Sequence, residues 1–182
     1  MSTIGIDYSM STPAMCLMGE STAFNDCKFY YLTGVKKAEG IFYRGNIIGT
    51  LHKEYYSEQE RFDDISDFFL TKIPITKPAP SIAIEDYSFG STGRIFNIAE
   101  NTGLLKHKLW EVGYKFSVVA PTTIKKYASG KGNADKVKMY ETFVKETGIE
   151  LSKIMFPDRA LGSPVSDIVD SYYIAKFIRT NS

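Results

Sequence analysis

The sequence predicts a single α/β domain, a mixed five-stranded sheet flanked by helices, and three observations point to it. Short β-branched and aromatic runs open the chain with turn residues between them. Strand and helix patterns then alternate from residue 58 onward. Finally, the order of three strands, helix, strand, long helix, strand and further helices suits a sheet covered on its faces. A length of 182 residues fits one domain with a proper core, and neither a repeat nor a low-complexity tract divides it.

Residues 3–8 read as a buried first strand and Ala14–Met18 as a second. Lys28–Leu32, rich in aromatics, gives the third strand of a meander. Residues 33–57 carry Gly34, Gly40, Gly45 and Gly49 between aromatic and isoleucine clusters, the composition of an irregular loop or an added hairpin. From Glu58 to about Thr71, Phe62, Ile65, Phe68 and Phe69 recur on one side of a helix. Pro74, Pro78 and Pro80 stop that helix and lead extended into a strand over 81–86. Residues 93–110 give the longest helical pattern. Its apolar arc (Ile95, Phe96, Ile98, Ala99, Leu105, Leu109, Trp110) is wider than one sheet-facing stripe needs, which implies deep burial or packing on a second subunit. Lys115–Ala120 is the fifth strand, and Pro121 is placed to begin a short helix over Thr122–Tyr127. A flexible link over 129–133 precedes a helix from Ala134 to about Thr147, closed by Gly148. Ser166 reads as the N-cap of a last helix ending near Ile178.

Bulk properties exclude several classes. With 43% hydrophobic and 24% charged residues, the chain is neither disordered nor a membrane span. Two cysteines make neither a disulfide framework nor a zinc set and imply a reducing compartment. Two histidines without metal-ligand spacing argue against catalytic zinc. Without a signal-type N-terminus, the expected location is cytoplasmic. The net charge of +1 hides a polarity: between Lys106 and Lys138 eight lysines face two acids, leaving the remainder net acidic. A basic side beside an acidic site suits a nucleic-acid partner, and a merely solvated lysine face is the competing reading.

The chemistry rests on four acids. Asp7 ends the run Ile4-Gly5-Ile6, and Glu85 follows Ile82-Ala83-Ile84. A carboxylate at such a place is costly unless it is paired, protonated or bound to a cation. Asp7 also fits a turn-forming role, whereas glutamate is a poor strand or turn residue. Asp86 would point to the opposite face and into solvent. Asp167 and Asp170 lie three apart on one helix face, with no lysine or arginine one turn away. Their place in a first turn is also explained by the helix dipole alone. Carboxylate oxygens from several elements are the ligands magnesium and manganese favour. Tyr87 and Phe89, in a glycine-flanked loop after Glu85, are rings able to stack on unpaired bases, although Phe89 also suits a core plug. No nucleophile elbow or phosphate-binding P-loop is present.

Taken in order, Gly5-Ile6-Asp7, Ala83-Ile84-Glu85, the segment Gly130-Lys131-Gly132-Asn133-Ala134-Asp135-Lys136 and Ser166-Asp167-Ile168-Val169-Asp170-Ser171 resemble the motifs of RuvC-type Holliday-junction resolvases. The resemblance runs over nearly the whole chain and implies an RNase H-like nuclease domain over 1–182. It implies a homodimer that uses Mg2+, with Mn2+ able to substitute, to make paired nicks in four-way and other branched DNA. Asp7, Glu85, Asp167 and Asp170 would then be the catalytic, metal-holding set. Lys136 would lie near the scissile phosphate, with Lys125 or Lys126 as a second helper and Lys131 also on the DNA side. Tyr8-Ser9-Met10-Ser11 stands where cellular bacterial members have Pro-Gly-Ser, and residues 33–57 look inserted, so the chain looks more like the divergent phage-encoded branch. In the expected mechanism Asp7 bridges two ions, one activating a water and the other stabilising the leaving 3′ oxygen. The alternative is a non-catalytic branched-DNA-binding module on the same fold.

Overall fold

A computed structural model describes residues 2–87 and 95–181. Its seven strands are β1 (Thr3–Asp7), β2 (Ala14–Met18), β3 (Lys28–Thr33), β4 (Gly40–Phe42), β5 (Ile47–Leu51), β6 (Ser81–Glu85) and β7 (Phe116–Val119). They form one mixed sheet in the order β4-β5-β3-β2-β1-β6-β7. The meander β1-β2-β3 is antiparallel, while β6 pairs parallel with β1 and β7 parallel with β6. The α/β class, the five strands read from sequence and the helical flanks are all present. Two further strands come from the glycine-rich segment, where β4 and β5 make an antiparallel pair and β5 adds parallel to β3. Of the two readings of this segment, an irregular loop or an added hairpin, the structure has the hairpin, and its three-residue β4 is defined by pairing with β5.

The helices are α1 (Glu58–Leu70), α2 (Ile95–Glu111), α3 (Pro121–Ser129), α4 (Lys136–Thr147), α5 (Leu151–Met155) and α6 (Val165–Asn181). Their ends follow local chemistry. Ser57 Oγ accepts from the Glu60 N–H at 3.1 Å, and Asp135 Oδ1 accepts from the Lys138 N–H at 2.8 Å, capping α1 and α4. Gly148, at φ 71°, closes α4 in the left-handed conformation expected of it. Ser166 is not an N-cap. It lies inside the first turn of α6, its N–H donating to Gly162 O and its side chain buried.

Strand parity divides the core. Ile4 and Ile6 of β1 and Ile82 and Ile84 of β6 face one layer, packing with Ile65 and Phe69 of α1 and Leu105 and Leu109 of α2. The intervening positions face the other layer, where α6 lies across β1, β2 and β6 and is itself backed by α3, α4 and α5. α6 is buried almost all round, which removes any amphipathic stripe from its sequence. The wide arc of α2 is divided. Leu105 and Leu109 are buried, whereas Phe96 and Trp110 are 79% and 70% exposed. No helix among the described residues is long and apolar enough to cross a membrane.

One contact fixes how the layers meet. A β-carbon added at Gly5 would stand 2.9 Å from Ala175 Cα, and closer still to the Ala175 nitrogen and the Ser171 oxygen. The backbone of α6 therefore rests directly on the backbone of β1, which only glycine permits.

Candidate active site

That contact sets the site. Two residues beyond Gly5 along β1 is Asp7, roughly 7 Å further on. Back along α6, Asp167 lies four residues from Ser171 and Asp170 five from Ala175, rises of roughly 6 and 7.5 Å. The last helix thus delivers its two aspartates to the end of the first strand. Glu85 arrives from the side: Ile6 pairs with Ile84 in parallel register, so Asp7 and Glu85 stand on neighbouring strands and share the parity that faces α6. All four acids line one cavity of about 530 Å³ at the end of the sheet.

The surroundings hold these groups out of water. Asp7 is 9% and Asp167 6% exposed, and Glu85 is half-buried. Burial raises the Asp7 pKa well above the ordinary range, and the charges of Glu85, Asp167 and Asp170 raise it further, against a smaller lowering by Lys136. Glu85 is pushed up to about 8 by burial and the Asp170 charge, with Lys125 opposing. Asp170 is raised to about 6 by burial and by Asp167. Asp167 is raised by burial, while a hydrogen bond from Ser163 and the Lys136 charge pull the other way. Its Oδ1 accepts from Ser166 Oγ at 3.4 Å, but its Oδ2 is buried without a hydrogen-bond partner. Lys136, at the first position of α4, donates to Ser166 Oγ at 3.3 Å, which ties it to the α6 turn that carries the aspartates.

These residues fit a hard divalent cation. The donors are all carboxylate oxygens, their ionised forms are mutually repelled, and one buried oxygen lacks a partner. Among the described residues, however, no three acidic, histidine or cysteine side chains already meet as a formed ion cage. Mutual repulsion accounts for carboxylates that share a cavity without closing on one point.

A stability prediction follows. In the unfolded chain these acids ionise near their ordinary values, whereas in the folded chain Glu85 holds its proton up to about pH 8. Between those values the folded state binds more protons, so stability falls as pH rises through the window. Thermal unfolding in a chelator is expected at a lower temperature at pH 9 than at pH 6, and Mg2+ should remove most of the difference. A melting temperature that ignores both pH and Mg2+ would contradict the cluster.

The remaining candidates separate. Lys125 lines the cavity on α3, beside Pro121, and Tyr87 lines it next to Glu85. The Tyr87 ring also lies 5.8 Å from Lys106 Nζ. Lys126 faces a different depression, formed with Thr122, Thr123, Tyr127 and Phe177. Lys131 is exposed in the link before α4 and does not line the cavity. Phe89 lies outside the described residues. Asp86 is half-buried and lines the cavity, with its Oδ1 accepting from the Tyr87 N–H, instead of standing free in solvent. Sequence reasoning missed Arg61 and the loop it holds. Arg61 Nη2 donates to Met10 O at 2.8 Å, His52 Nε2 lies 2.8 Å from Ser11 O, and Tyr8 donates to Asn101 Oδ1 at 3.3 Å. The one signal was an arginine beside the apolar stripe of α1, next to Phe62.

No protein-family model matches the sequence, and no curated protein matches it. Solved structures do. A Thermus thermophilus RuvC structure aligns over 96% of this chain and 91% of its own, with a TM-score of 0.59 at 16% identity. T. thermophilus RuvC in complex with a Holliday junction substrate aligns over 100% and 96%, with a TM-score of 0.63 at 13% identity. The yeast mitochondrial Holliday junction resolvase aligns over 97% and 77%, with a TM-score of 0.55 at 16% identity. The chain therefore has the RuvC form of the RNase H-like fold.

Proposed function

We propose that this protein is a divergent, phage-type RuvC-like endonuclease that resolves four-way and other branched DNA junctions by paired phosphodiester hydrolysis. The observation that carries the reading is that Asp7, Glu85, Asp167 and Asp170, from two strands and one helix, line a single cavity together with Lys136. It is supported by a fold shared with resolvases, one of them solved with a Holliday junction. Mg2+, or Mn2+ in its place, would be held by those four carboxylates. Such ions lower the pKa of water and offset charge on a phosphodiester in transit.

The chain's own groups have separate duties. The carboxylates, poorly solvated and mutually repelling as bare anions, would gain from any cation between them. Lys136, anchored through Ser166, presents an ammonium where negative charge develops on the phosphate. Lys125 holds the Glu85 side of the cavity positive, and Tyr87 offers a ring to an unpaired base at the branch. Lys126 and Lys131 lie outside the cavity and would contact DNA arms, not the cleaved phosphate. Phe96 and Trp110, exposed on α2, supply the apolar face of a homodimer that sets two sites on opposite strands.

The deciding experiment incubates the protein with a labelled four-way junction in Mg2+ or Mn2+ and, in parallel, in Ca2+. Symmetrically placed paired nicks with the first two ions and binding alone with Ca2+ are expected. Binding without nicks under every ion would favour the non-catalytic junction-binding module. Lys136→Ala is expected to slow cleavage about 10²-fold with little change in binding. Undiminished turnover would remove it from the mechanism.

A further inference from the structure

The cations that line the cavity come from both layers of the fold, and one of them has no assigned duty. Lys125 and Lys136 belong to α3 and α4, packed with α6 on one face of the sheet. Arg61 belongs to α1, on the other face, and reaches the same cavity beside Tyr8, Ser9, Met10 and Ser11. Its side chain is 15% exposed. Nη2 is committed to Met10 O, and the guanidinium lies 5.1 Å from the centre of the Tyr55 ring. Those two contacts fix its plane.

Most of its donor capacity is nevertheless unspent. Nε is buried without a hydrogen-bond partner among the described residues. Nη1 has Glu58 Oε2 at 3.8 Å, an ion pair too long for a hydrogen bond, and that carboxylate oxygen is likewise unsatisfied. A guanidinium that served only to brace the loop would be expected to close its fork on a carboxylate. This one lines an acidic cavity, and its Nη1 makes no hydrogen bond among the described residues.

We propose that Arg61 is a phosphate-binding residue of the cleft, gripping the DNA backbone on the α1 side while Lys125 and Lys136 hold it on the opposite side. The assignment rests on the nuclease reading and adds a substrate contact to it. Five carboxylates line the cavity, counting Asp86. A polyanion entering there is repelled unless both walls carry positive charge, and Arg61 is the one cation the α1–α2 layer contributes among the described lining residues. Planar, forked donors suit phosphate oxygens. The Met10 anchor also couples the grip to the loop that follows Asp7, so a bound strand is held in register with the carboxylates.

The test is equilibrium binding of a labelled four-way junction in Ca2+, measured across a salt series for the wild type, Arg61→Gln and Arg61→Lys. Loss of one phosphate contact is expected to weaken Arg61→Gln about tenfold near 0.1 M salt and to flatten its plot of log K against log salt by about 0.9. Arg61→Lys keeps the charge and should retain the wild-type slope. A purely structural arginine gives the opposite pattern, a lowered melting temperature with parallel salt plots, and that result would overturn the assignment. Glu58→Gln leaves the arginine in place and decides the matter even where Arg61→Gln does not fold. Freed of its neighbour, Arg61 should bind the junction two- to threefold more tightly, beyond any gain from the exposed control Glu60→Gln. Equal effects from the two would count against it. A wild-type chain that binds no branched DNA defeats the nuclease reading itself, whereas normal binding with an unchanged Arg61→Gln slope defeats Arg61 alone.

Discussion

Glu85→Gln is expected to leave junction binding within about twofold of the wild type and to lower cleavage on the order of 10³- to 10⁴-fold, the scale for losing a member of a set that acts as one. Glutamine keeps the shape and the β6 position but supplies neither the charge nor the second anionic oxygen that a cation requires. Because Glu85 is destabilised as an anion by burial and by Asp170, its neutral replacement should also raise the melting temperature in chelator at pH 9. That pairing separates a functional carboxylate from a structural one. Removing a group that builds the fold lowers stability and binding together, whereas removing a strained functional group raises stability as activity disappears. Loss of binding in step with loss of stability would place Glu85 in the scaffold and sink its assignment.

Gly5→Ala should be strongly damaging. The new β-carbon would overlap the Ser171 and Ala175 backbone, and a main chain cannot turn aside as a side chain can. Overpacking of this kind costs about 1–3 kcal/mol, and backbone against backbone belongs at or above the upper end. A loss of about 3 kcal/mol would lower the melting temperature of a domain this size by roughly 6–12 °C. The functional loss should exceed the stability loss, because any outward shift of α6 moves Asp167 and Asp170 away from Asp7. Cleavage measured well below the melting temperature should therefore still fall steeply. Wild-type melting with wild-type turnover would show that the two backbones do not meet there.

The contrast between what was legible and what was not has a physical pattern. Asp7 and Glu85 could be read because each breaks an apolar run that has a strand's period, and parity then puts both on one face. Asp167 and Asp170 were visible as a pair, but their nearness to β1 depends on Gly5, whose role no local pattern announces. Ser166 misled for a related reason. A serine ahead of an apolar helix has the chemistry of a cap, yet here its hydroxyl serves Lys136 and Asp167 within the site. The added hairpin was one of two readings of residues 33–57 and is the one that β4 and β5 form, whereas the five-residue α5 is too short to show a helical period. Arg61 escaped because its neighbours in space, Met10 and Ser11, lie about fifty positions away in sequence.

The seating of α6 on Gly5 also bears on when the proposed site becomes complete. A nascent chain that has emerged only through β7 presents Asp7 and Glu85 but no Asp167 or Asp170, and the floor of β1 at Gly5 lies uncovered. Chains abandoned during synthesis, or clipped ahead of residue 165, would carry only half of the proposed site. On the proposed nuclease reading, the helix that finishes the hydrophobic core would also be the element that completes the cutting centre.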